Sequence, residues 1–95
     1  MRVDFHPDAV AELSESANWY AERSAVSARN FLVAVDLAVA SVVNDPERFA
    51  RIDDRHRSCS VLKFPFQIVF RLDNSRIVIV AVAHAKRRPG YWRRR

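Results

Sequence analysis

The sequence predicts an α+β domain of element order β-α-α-β-β-β, with an antiparallel helical hairpin packed on one face of a mainly antiparallel four-stranded sheet. Two stretches with the 3.6-residue apolar period fill the first half of the chain, and three strand-like runs fill the second. A short alternating segment precedes them. Residues 1–95 read as a single domain, with 84–95 a basic, aromatic C-terminal segment.

Val3 and Phe5 alternate with Arg2 and Asp4, which predicts a half-buried strand. Pro7 ends it and suits the first turn of a helix over 8–22, where Val10, Leu13, Ala17 and Tyr20 recur at helical spacing. Ser24 or Ser27 supplies the cap of a second helix over 26–44. There Ala28, Phe31, Leu32, Val35, Ala38, Val39 and Val42 form the buried stripe, and Asp45-Pro46 ends it. Glu47–Asp54 reads as a polar loop. Strands are expected at Arg55–Lys63, Phe66–Leu72 and Ile77–Ala83, with Phe64-Pro65 and Asp73-Asn74-Ser75 as the breaks. The last run is apolar on both faces, as a central strand requires.

Composition removes several classes of function. The one glycine, Gly90, rules out a Gly-rich phosphate loop or a dinucleotide fingerprint. Cys59 is alone, and His6, His56 and His84 are far apart, so no metal site and no cofactor is expected. No apolar leader opens the chain, and the apolar stretch Phe31–Val43 is interrupted by Asp36. A cytoplasmic protein with no membrane partner is the expectation. The net charge of +5 is unevenly spread: residues 1–47 carry −5 and residues 48–95 carry +10. Such segregation points to a face made for phosphates or for an acidic protein.

Four groups of residues are candidates for that face. Arg55 and Arg57, at the start of a strand, share one face with Cys59 while His56 points the opposite way, and two guanidiniums can clamp a phosphate. Arg71 alternates to the side of its strand opposite Phe66, Ile68 and Phe70. His84 follows a rigid apolar strand, and an imidazole can serve as an acid or a base. Lys86, Arg87 and Arg88 precede Tyr91, Trp92 and three further arginines, six positive charges within residues 84–95. Two aromatics among them either stack on bases or pack back onto the domain. As an inventory for RNA cleavage, His84 or Tyr91 would move protons while Arg57, Arg71 and Arg87 or Arg88 hold the phosphate.

The element order, the segment FPFQIVFR and above all HAKRRPGYW resemble the RelE/ParE superfamily of bacterial type II toxin–antitoxin toxins. PDAVAEL, NWYAE, ARNFL and DPERF extend the likeness over nearly the whole chain. The resemblance implies a toxin neutralised by a cognate antitoxin, with which it would form a hetero-oligomer. RelE-like members cut messenger RNA on the ribosome, and ParE-like members inhibit DNA gyrase without nuclease activity. Carried over by position, Arg57, Arg71, His84, Arg87, Arg88 and Tyr91 fit the RelE-like site on the open face of the sheet. The chain lacks a lysine-rich first middle strand and a glutamate on it. Its H-x-x-R-x-P-x-Y-W ending is similar to the ParE-like, plasmid-stabilisation branch. The preferred expectation is therefore gyrase inhibition. The alternatives are a ribosome-dependent endoribonuclease, with catalytic His84, Arg57 and Tyr91, and a non-toxic nucleic-acid-binding module.

Overall fold

In the computed structural model, which describes residues 1–95, the alternating start of the chain is strand β1 (Arg2–Phe5). Helix α1 (Pro7–Ala21) begins one residue earlier than the apolar period suggests, because His6 is its cap: the ring Nδ1 accepts the Asp8 amide at 3.0 Å. Of the two serines offered as the cap of α2 (Ala25–Asn44), Ser24 serves, accepting the Ser27 amide at 3.2 Å. Ala38, Phe31, Val35 and Val42 are its buried stripe. By length and apolarity alone α2 would pass for a membrane-crossing segment. Here that stripe packs on the sheet. Pro46–Arg48 forms a short 3₁₀ turn that runs into the start of the expected polar loop.

Strands β2 (Arg57–Val61), β3 (Phe66–Asp73) and β4 (Arg76–His84) follow. The first is shorter than expected at both ends. The Asp53 carboxylate draws in the amides of Arg55 and His56, each at 2.8 Å, which holds those residues out of the ladder. At the other end Lys63 takes a φ of 70°, and in the β3–β4 turn Asn74 takes 54°. A chain with one glycine must place side-chain-bearing residues at such positions; asparagine tolerates them better than lysine.

The sheet runs β1-β4-β3-β2, with β1 parallel to β4 and the other two pairs antiparallel. The α1–α2 hairpin covers one face. Phe31, Ile68, Phe70, Ile77 and Ile79 form the main core there, with Tyr20, Phe31, Phe64 and Phe66 stacked at one end. A register shift at Val69/Phe70 leaves Val80 as an extra residue of β4, between Ile79 and Ala81. The bulge flips the alternation of the strand. Ile77 and Ile79 face the helices before it, and Val82 faces them after it. Val78, Val80, Ala81 and Ala83 face the other way, where a second apolar cluster forms.

Candidate functional site

That second cluster is closed by the C-terminal segment. Trp92 is 6% exposed and lies on Val69, Val78, Val80, Ala81 and Ala83, with Tyr91 beside it. Of the two roles open to these aromatics, they pack back onto the domain. Gly90, at φ 78°, provides the turn that brings them over the sheet. The Trp92 ring meets His56 edge-on at 4.6 Å. His56 is buried, and its Nδ1 is 2.8 Å from the Asp53 carboxylate.

The segment is fastened through Glu12 on α1. β1 pairs with β4 only as far as Ile79, so the outer edge of β4 beyond that point lacks a strand partner. Glu12 Oε1 accepts the Val82 amide at 3.0 Å, and Arg95 donates to the Val80 carbonyl at 3.0 Å. Both Glu12 oxygens accept from the Arg95 guanidinium, at 2.9 and 3.0 Å, and Oε2 accepts the Tyr91 hydroxyl at 2.7 Å. Arg71 donates to the Arg95 carbonyl at 3.0 Å and to Asp73 at the same distance. Arg93 reaches Asp53 at 3.4 Å.

Burial, then the bond to Glu12 and its charge, push the Tyr91 phenol well above its ordinary pKa. A group held this firmly protonated is poorly suited to be a base at neutral pH. Two guanidiniums lie over its ring, Arg87 at 3.9 Å and Arg95 at 5.0 Å from its centroid. The bond to Glu12 likewise holds Arg95 in its charged form. Asp53 is the opposite case. Burial works against its charge, but hydrogen bonds from the Arg55 amide and from the His56 ring and amide outweigh it and hold the carboxyl at about 2.

The sequence-derived set, apart from Arg88, which is exposed on the C-terminal segment, falls into three places. His84 closes β4 at the end nearest Phe66, whose ring it meets edge-on at 4.9 Å. Its Nδ1 accepts the Lys86 amide at 3.0 Å, so the neutral ring carries its proton on Nε2. His84 and Lys86 line a cavity of about 670 Å³ with Glu15, Trp19, Tyr20 and Phe66. Tyr91, Trp92, Arg87 and Arg71 belong to the roofed face. Arg55, Arg57 and Arg71 border a third place, a cleft of about 180 Å³ at the opposite end of the sheet.

The expected pairing of Arg55 and Arg57 on one strand face is not what forms. Arg55 precedes β2, and Arg57 shares the helix-facing side with buried Cys59. There the Arg57 guanidinium donates to the Glu47 and Phe49 carbonyls, at 3.0 and 2.7 Å. The sheet face assumed to be open carries the C-terminal segment. Burial raises the Cys59 thiol, and it donates to the Ala38 carbonyl at 3.8 Å, so it is no ready nucleophile. Glu12, Asp53 and His56 were not singled out from the sequence. Glu12 had a readable signal, a carboxylate on the inward stripe between Ala9 and Leu13. His56 had none, because its burial depends on Trp92.

The family model described as "ParE toxin of type II toxin-antitoxin system, parDE" matches residues 3–89. No curated protein matches the chain in sequence. Among solved structures, the chain is similar to one titled "Chromosomal ParDE TA system from P. aeruginosa". The two superpose with a TM-score of 0.79 at 17% identity, over 90% of this chain and 97% of that one, a likeness of fold. The match over residues 3–89 places the chain in the ParE toxin family of type II toxin–antitoxin systems.

Proposed function

We propose that this ParE-family toxin acts in the cytoplasm by binding DNA gyrase, without cleaving RNA, and that a cognate antitoxin neutralises it. The supporting observation is the separation of the would-be catalytic groups. A nuclease of this design needs a base, an acid and phosphate-holding cations around one scissile bond. Here Arg57 is tied to the Glu47 and Phe49 carbonyls on the helix-facing side, His84 sits at the far end of β4, and Tyr91 is a half-buried phenol bonded to Glu12. The exposed cations Lys86, Arg87 and Arg88 remain for an acidic target surface. Trp92 and Tyr91 then act by holding that surface in place.

The antitoxin surface in this reading is the groove between α2 and the outer edge of β2. Val33, Ala34, Leu37 and Leu62 line it, with Arg48 and Lys63 among its residues, in a space of about 1000 Å³. Leu37 is 62% exposed, an apolar patch without a partner inside the chain. Beyond the bridge between Arg51 and Arg57, β2 is the edge of the sheet and has free backbone donors and acceptors on that side. An antitoxin segment with an apolar face and acidic residues fits such a groove, with strand addition at the edge as a further anchor.

Induced expression in a bacterium, followed in parallel for DNA replication and for transcript integrity, tests the reading. Filamentation with a DNA-damage response and intact transcripts is expected. Translation arrest with cleaved transcripts would establish the nuclease alternative, and normal growth the non-toxic binding module.

A further inference from the structure

Glu15, Ser16, Trp19 and Tyr20 share one face of α1, the first two standing one turn before the others. That face meets the end of the sheet where Phe66 opens β3 and its ladder partner His84 closes β4. The rings form a row. Trp19 and Tyr20 meet edge-on with centroids 5.1 Å apart, Tyr20 and Phe66 are 6.5 Å apart, and Phe66 and His84 are 4.9 Å apart. This row walls the cavity of about 670 Å³ between α1 and the end of β4.

Trp19 is 50% exposed, yet it is held in place. Arg23 donates to the Trp19 carbonyl at 2.7 Å and lays its guanidinium 3.6 Å from the ring centroid. The ring nitrogens open to solvent on this row are donors. The His84 Nδ1 accepts the Lys86 amide, which leaves an Nε2–H, and the Trp19 indole brings a second N–H. Neither of these, nor the hydroxyls of Ser16 and Tyr20, has a partner within the chain, and none of the four is sealed from solvent. Glu15 and Lys86 are the charged residues of the wall, and they cancel. Beside a strongly basic segment this place is electrically balanced, which favours an uncharged ligand over an anion.

We propose that this wall binds an extended, proline-containing segment of a partner protein. Proline offers a carbonyl acceptor and no N–H, so it meets a wall of donors without adding a donor that would be left unpaired. Its ring packs on aromatic faces, and a chain already held in the polyproline II conformation has little freedom to lose on docking. An ordinary extended segment brings amide donors, for which the one carboxylate of the wall is Glu15. The proposal is independent of gyrase binding and goes beyond it: His84 acts here as a hydrogen-bond donor to a bound peptide.

The test is a titration of the full chain with acetylated, amidated decaproline, followed by NMR of the backbone amides and the indole N–H groups. Saturable shifts at Ser16–Tyr20, Phe66, Ala85, Lys86 and the Trp19 indole are expected, with the buried Trp92 indole unmoved. Trp19→Ala should keep the amide spectrum of β3 and β4 and bind at least about tenfold more weakly. Tyr20→Phe keeps the ring, removes one donor and should weaken binding about fivefold. A blocked glycine–serine peptide of equal length should leave the spectrum unchanged, and adenosine, an uncharged stacking base, should bind more weakly than decaproline. Shifts that do not saturate, equal binding of the glycine–serine peptide, or full affinity in Trp19→Ala would overturn the proposal. Tighter binding of adenosine would overturn it too, by assigning the row to a base.

Discussion

Glu12 accepts four hydrogen bonds: two from Arg95, one from the Tyr91 hydroxyl and one from the Val82 amide. Its side chain is 11% exposed and that of Arg95 is 15% exposed, so water screens the pair little. Glu12→Gln keeps the shape and removes the charge, leaving a partly buried guanidinium without its counter-ion. The expected loss is about 2 kcal/mol in urea unfolding; an unchanged midpoint would mean that the clasp adds nothing. Tyr91→Phe removes one bond, and a loss of about 1 kcal/mol with toxicity retained is expected, since the phenol serves as a strut. Abolished toxicity in a folded Tyr91→Phe protein would return the tyrosine to a catalytic role. Asp53 sets an acid limit. Its folded pKa of about 2 lies below the ordinary 3.8, so its contribution is fully present above about pH 4 and is lost as pH falls through 2. Unfolding midpoints measured from pH 6 to pH 2 should show that decline, and Asp53→Asn should flatten it. Residue types at the C-terminus were legible in sequence. The partners of Tyr91 and Arg95 were not, because Glu12 lies some eighty positions away and only the fold brings it near.

At the scale of elements, the apolar periods of α1 and α2 and the run Ile77–Ala83 are strong signals, and each formed close to its expected bounds. The runs of Arg55 and His56 into β2 failed for a local reason, the Asp53 carboxylate competing for their amides. The bulge at Val80 has no sequence mark within an all-apolar run, yet it decides which of those residues form the second cluster. A doubly apolar β4 required covers on both faces. Only one cover, the helical hairpin, was evident; the other is the strap of Tyr91 and Trp92. Trp92→Ala would open that cover over five apolar residues. A loss of about 3 kcal/mol is expected, hence a fall in Tm of more than about 10 °C for a domain of this size. Calorimetry on the variant checks this, and a shift of only a degree or two would show that the strap is loosely held.

Over the whole molecule, the charge segregation seen in the sequence becomes spatial. The acidic first half builds the helical layer, and the basic second half supplies the sheet ends, the 51–57 loop and the C-terminal segment. Glu12 and Arg95 stitch the two halves together, and the remaining cations project outwards. The family could be reached from HAKRRPGYW and the element order, and the match over residues 3–89 bears it out. The location of a site could not, because site residues drawn from the sequence presumed a sheet face that the chain itself covers. The most direct measurement is DNA supercoiling by purified gyrase in the presence of increasing amounts of this protein. Inhibition that saturates, and that added RNA leaves unchanged, is the expected result. Undiminished supercoiling at saturating protein, together with cleavage of messenger RNA on added ribosomes, would contradict it.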